Sequence, residues 1–163
     1  MRITSPSLVL SLLLGIVALG TPAAAQEPVQ TEADEHITVL PDELEWNAVE
    51  SLPPGASAAL IEGRLSEREP FTLRLRFPAN YEIPAHTHPT TERVTVLSGT
   101  LYLATGNELT RENAVALPPG SVKIMPPGIK MWGYTGGEEV VIQLNGIGPW
   151  GMNFLDRGEE LES

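Results

Sequence analysis

Between Phe71 and Phe77 the chain reads FTLRLRF, with Phe71, Leu73, Leu75 and Phe77 on one side and Thr72, Arg74 and Arg76 on the other. Side chains of an extended strand alternate between two faces, so this pattern predicts a strand with one face buried and one solvated. The runs SAALIEGR, RVTVLSG, TLYLATG, SVKIM and EVVIQLNG repeat the theme in Val, Ile, Leu and Thr. Turn signals separate them: Pro53-Pro54-Gly55, Ser98-Gly99, Pro118-Pro119-Gly120, Pro126-Pro127-Gly128 and Gly136-Gly137. Short strands broken so regularly predict a single all-β domain, a sandwich or a barrel. Only NELTREN, Asn107 to Asn113, admits a helical turn, and a loop serves there equally well.

The two ends read differently. Met1 and Arg2 make a short positive start, Leu8 to Leu19 is apolar, and Ala23-Ala24-Ala25 supplies small residues for cleavage. That layout is a secretory signal peptide over residues 1–25, too short to span a bilayer comfortably, which takes about 20 apolar residues. Residues 26–36 form a polar, acidic lead-in without apolar period, residues 37–157 carry the barrel, and 158–163 are a tail. The expected product is exported, periplasmic or secreted, and free of the membrane once cleaved. With no cysteine, it has neither a disulfide framework nor a lipid anchor. Acidic side chains outnumber basic ones 21 to 10, a net charge of −11, which argues against nucleic acid as a partner.

The chemistry concentrates in PAHTHPTTERVTVLSGTLYL, Pro84 to Leu103. Of three histidines in the chain, two flank a single threonine as His86 and His88, and Glu92 follows four residues later. Residues two apart on a strand share a face, so the imidazoles project side by side. Pro89-Thr90-Thr91 reads as a reversal that returns Glu92 on the neighbouring strand. Two imidazole nitrogens and a carboxylate oxygen make a workable shell for a divalent metal ion, Fe, Mn, Zn or Ni. His36, at the edge of the acidic segment, reads as an exposed residue with no role.

The stretch His86-Thr-His88-Pro-Thr-Thr-Glu92, six residues, then Gly99, resembles the first motif of the cupin superfamily. Gly120, Pro126 and Gly128 match the spacing of that family's second motif. The resemblance implies a double-stranded β-helix, a jelly-roll barrel with a metal in its lumen. Asn80 stands where the first motif begins with Gly, and Asn tolerates a left-handed backbone. Met131 stands where the second motif supplies a further metal-binding His, and Thr135 where it has Asn.

Three readings of Met131 follow. It fills the lumen as a flexible apolar side chain, leaving the ligand count of the non-haem Fe(II) facial triad. It is itself a soft fourth ligand, favouring copper and Cu(I) above all. Or the site holds no metal, and the barrel takes an organic ligand. Gln143 and Trp132 are further candidates for the pocket, Gln143 through the alternation of VVIQLNG and Trp132 through its place beside Met131. What the resemblance implies about function divides likewise. One branch is a metal-dependent oxidoreductase or isomerase acting on a small molecule, dioxygenase-like or isomerase-like. The other is a non-enzymatic sensor or carrier with a degenerate metal site. The residues themselves offer no Ser/His/Asp or Cys/His nucleophile set. Open sheet edges need cover, and a homodimer would provide it.

Overall fold

The computed structural model describes residues 36–155. The expected signal peptide, most of the acidic segment and the tail 158–163 lie outside the described residues. Among the described residues, eleven strands follow a short 3-10 turn at Pro41–Glu43: β1 (Asn47–Ala48), β2 (Ser57–Glu62), β3 (Pro70–Phe77), β4 (Glu82–Thr87), β5 (Glu92–Ser98), β6 (Leu101–Thr105), β7 (Val115–Leu117), β8 (Val122–Met125), β9 (Met131–Thr135), β10 (Val140–Ile147) and β11 (Asn153–Phe154). The segment 107–113 is loop with a turn near its end, not helix.

Six strands form one sheet in the order β1-β2-β3-β10-β5-β8, and five form a second in the order β11-β4-β9-β6-β7. Neighbours run antiparallel throughout. The FTLRLRF alternation becomes β3, with Phe71, Leu73, Leu75 and Phe77 buried. Val94 and Val96 of β5 and Ile142 and Leu144 of β10 join them from the same sheet, and Ile83, Leu101, Leu103 and Met131 from the other. Each such side chain contributes roughly 1.5–3 kcal/mol through burial. Two sheets closed face to face around this core are the jelly-roll barrel of a double-stranded β-helix.

Backbone details at the turns set the strand ends. Asn80 is left-handed, with φ of 56°, and its N–H donates to Gly136 O at 2.6 Å. Thr135 is buried and ties that turn down: its Oγ1 accepts from Tyr81 N–H at 2.8 Å and donates to Pro78 O at 2.7 Å. Gly99, with φ of 68°, sits so close to β10 that an added Cβ would lie 2.3 Å from Glu139 O.

Candidate metal-binding lumen

His86 lies on β4, and His88 lies just past its end. Residues Ile83 and His86 face Gly133 and Met131 of β9, so β4 carries one extra residue over that interval. This β-bulge resets which side of the strand points inward. Ile83 faces the core before it; His86 and His88 do so after it, both almost fully buried. Glu92, the first residue of β5, is equally buried. Here the structure differs from the expectation of a neighbouring strand. β4 and β5 belong to different sheets, so the Pro89–Thr91 link crosses the barrel wall, and Glu92 faces the histidines from the opposite sheet.

His86, His88, Glu92 and Met131 line one cavity of about 40 Å³, otherwise walled by Leu, Ile, Val, Phe, Met and Trp150. A cavity of this size has room for an ion and water. Trp150 and Met152 cover it from the chain's last described segment. The Trp150 ring stacks on His88, centroids 4.8 Å apart and planes 16° from parallel. On the far side of Leu52, Leu75, Trp150 and Met152 lies a second, apolar cavity of about 250 Å³.

Both imidazoles are held in a defined tautomer. His86 Nδ1 lies 2.6 Å from Pro84 O, and His88 Nδ1 lies 2.7 Å from Gly151 O. A carbonyl oxygen can only accept, so each Nδ1 carries the proton and each Nε2 is left as a bare lone pair. Histidines that bind metals are oriented in this way by a backbone carbonyl. Burial is the main cause that lowers both imidazoles, His86 to about 4, so both are neutral at pH 7. The same burial raises Glu92 to about 7, against a smaller opposing pull from the Trp150 indole N–H. That buried N–H has no fully formed hydrogen bond of its own.

His88 Nε2 stands 3.4 Å from Glu92 Oε1. His86 meets this pair edge-on, its ring centroid 4.8 Å from that of His88 and the planes 82° apart. The donor types, two bare imidazole nitrogens and a carboxyl group, suit a divalent cation. In the geometry seen here, however, no three His, Cys, Asp or Glu side chains among the described residues are drawn together as a metal-holding group. His86, His88 and Glu92 would have to close by side-chain adjustment around an ion.

Gln143 and Trp132 do not reach the lumen. On β10 the inward residues are Val140, Ile142 and Leu144, which leaves Gln143 on the outer face. There it accepts from Arg74 Nε at 3.2 Å and donates to Asn145 Oδ1 at 3.3 Å. On β9 the buried residues are Met131, Gly133 and Thr135, so Trp132 also points outward and its Nε1–H donates to Glu82 Oε1 at 3.2 Å. In each case the strand's period of two decides the matter: the apolar set takes the inside, and the alternate set is excluded. His36 is exposed. The lumen residues that sequence reasoning missed are Met152 and Met125. They lie 37 to 66 positions from the histidines along the chain, and only the closed barrel brings them together.

This barrel with its buried His-x-His and Glu has the cupin fold. The chain belongs to the family described as "Domain of unknown function (DUF4437)", whose model matches residues 37–148. Among solved structures it is similar to the polyketide cyclase RemF from Streptomyces resistomycificus, at 16% identity over 77% of this chain and 91% of that one, TM-score 0.60. It is also similar to an RmlC-like cupin from Ralstonia eutropha, at 17% identity over 74% and 73%, TM-score 0.58. A protein with a double-stranded β-helix domain from Klebsiella pneumoniae gives 18% identity over 76% and 100%, TM-score 0.57. No curated protein matches the sequence.

Proposed function

We propose that this is an exported cupin whose lumen binds one divalent metal ion through Nε2 of His86, Nε2 of His88 and the carboxylate of Glu92. The observation that carries the reading is the facing of His88 Nε2 and Glu92 Oε1 at 3.4 Å inside an apolar cavity. With Nδ1–H committed to Gly151 O, the Nε2 atom offers only a lone pair, and so does an ionised carboxylate. Two such acceptors facing each other out of water repel unless a proton or a cation lies between them. A protonated Glu92 meets that need in the metal-free protein, and a metal ion meets it by displacing the proton.

When bound, the ion would supply Lewis acidity or an activated water. The chain's own contribution is to fix the imidazole tautomers through Pro84 O and Gly151 O and to exclude bulk water with Trp150 and Met152. Glu92, with an ordinary pKa moved to about 7, can hold or release a proton near neutrality. Small-molecule chemistry on this fold is represented by the polyketide cyclase RemF.

A second reading, a non-enzymatic metal carrier or sensor, is favoured by the 40 Å³ volume of the lumen.

Elemental analysis of the protein isolated from the compartment to which it is exported tests the metal reading. One equivalent of a transition metal, lost in His86→Ala, supports it. Metal-free protein from that source, with His86→Ala equally stable, contradicts it. Mass spectrometry of the same sample gives the mature N-terminus, expected at Gln26; an intact leader contradicts export.

A further inference from the structure

The three methionines among the described residues all line the lumen: Met125, Met131 and Met152. Each stands beside a different polar group of the site. Met131 is the cross-strand partner of His86 in the β4–β9 pair. Met125 is the cross-strand partner of Glu92 in the β5–β8 pair. Met152 follows Gly151, whose carbonyl holds His88. Elsewhere the lumen is filled by Leu, Ile, Val and Phe, which serve the need for apolar packing equally well. All three thioether side chains of the described residues thus line the same cavity as the two imidazoles.

Thioethers are soft donors that add little to the binding of Mn(II) or Mg(II), and together with imidazole they select Cu(I). We infer that the lumen is also a Cu(I) site, in which Nε2 of His86 and His88 and one or more of the Met131, Met125 and Met152 sulfurs hold the ion. This rests on the lumen being a metal site, and it adds the class of metal and three ligands outside the His-Glu set.

The test is an anaerobic competition for Cu(I) between the purified full chain and a chromophoric Cu(I) chelator, with Mn(II) binding measured in parallel. X-ray absorption at the copper edge is recorded on the wild-type complex. Met131→Leu, Met125→Leu, Met152→Leu and their triple combination conserve volume, so the barrel is expected to keep its fold. The expected result is one Cu(I) per chain with sulfur in its shell. The triple variant should bind Cu(I) at least about tenfold more weakly while its Mn(II) affinity changes less than about twofold. Absence of sulfur from the wild-type spectrum overturns the inference and needs no variant to fold. Cu(I) affinity within about twofold of wild type in the triple variant overturns it as well. His86→Ala separates the two levels. If it abolishes Mn(II) binding while the methionine variants leave Cu(I) unchanged, the divalent site stands and the copper site falls. If it leaves both metals bound, both readings fall.

Discussion

The indole of Trp150 lies flat on the imidazole of His88, with its N–H turned toward Glu92. One side chain from the end of the barrel thus packs against one donor of the site and biases the charge of another. Trp150→Phe keeps the stacked ring and removes the N–H. The raised pKa of Glu92 should then rise further, since the one group favouring its ionised form is gone. Carboxyl-carbon NMR titration of the metal-free protein reads this directly. An unchanged or lowered pKa in Trp150→Phe would show that the indole does not act on Glu92. Trp150→Ala removes the ring as well and should cost about 3 kcal/mol in urea unfolding, through the cavity it leaves.

Glu92 also makes the metal-free protein sensitive to base. Its folded pKa of about 7 lies above the ordinary 4.5, so the native state holds a proton that the unfolded chain has released. Stability is therefore full below the unfolded value, falls as pH rises through the window from 4.5 to 7, and stays low above it. His86 acts in the opposite sense. Its folded pKa of about 4 lies below 6.5, so stability is full above 6.5 and falls as pH drops toward 4. Glu92→Gln removes only the first effect. Metal-free Glu92→Gln should gain up to about 3 kcal/mol over wild type at alkaline pH, with the gain vanishing toward acid. An equal gain at both ends of the pH range would place its cause elsewhere.

Thr135 stands where the family's second motif carries Asn, and its hydroxyl serves Tyr81 N–H and Pro78 O together. Thr135→Val keeps the shape and strands both buried groups, which should cost about 2–4 kcal/mol. The effect is on stability alone, so metal affinity of the folded fraction should stay within about twofold. A large loss of affinity at full stability would show that this turn shapes the site.

At Asn80 the left-handed φ of 56° is tolerated by Asn and free for Gly. Asn80→Ala should lower stability by about 1 kcal/mol and Asn80→Gly by less, measured by chemical unfolding. If Ala proved as stable as Gly, backbone strain would not decide the residue here.

Much of this was legible in the chain because strands announce themselves by period two. FTLRLRF, RVTVLSG and TLYLATG became β3, β5 and β6, and the spacing from His86 through Gly99 marked the two histidines and Glu92 as one unit. The limit came where local pattern meets tertiary geometry. A bulge at Ile83–His86 leaves no mark in composition, yet it turns both imidazoles inward. Glu92 was expected beside the histidines on an adjacent strand, because a three-residue link suits a hairpin as well as a crossing between sheets. Gln143 was ambiguous for a similar reason. VVIQLNG alternates cleanly, but alternation does not say which face is inside, and Val140, Ile142 and Leu144 won it. Met125 and Met152 carried no local signal at all.

Proton release on metal binding tests the shared position of proton and cation between His88 and Glu92 most directly. The metal-free protein is titrated with Zn(II) by calorimetry at about pH 6, in two buffers of different ionisation enthalpy. One ion should bind per chain with close to one proton released, and the release should fall toward zero by about pH 8.5, where Glu92 is already ionised. In Glu92→Gln that proton release should disappear. Binding that releases the same number of protons from Glu92→Gln, or no binding to the wild-type protein at any pH, would contradict a cation site at His86, His88 and Glu92.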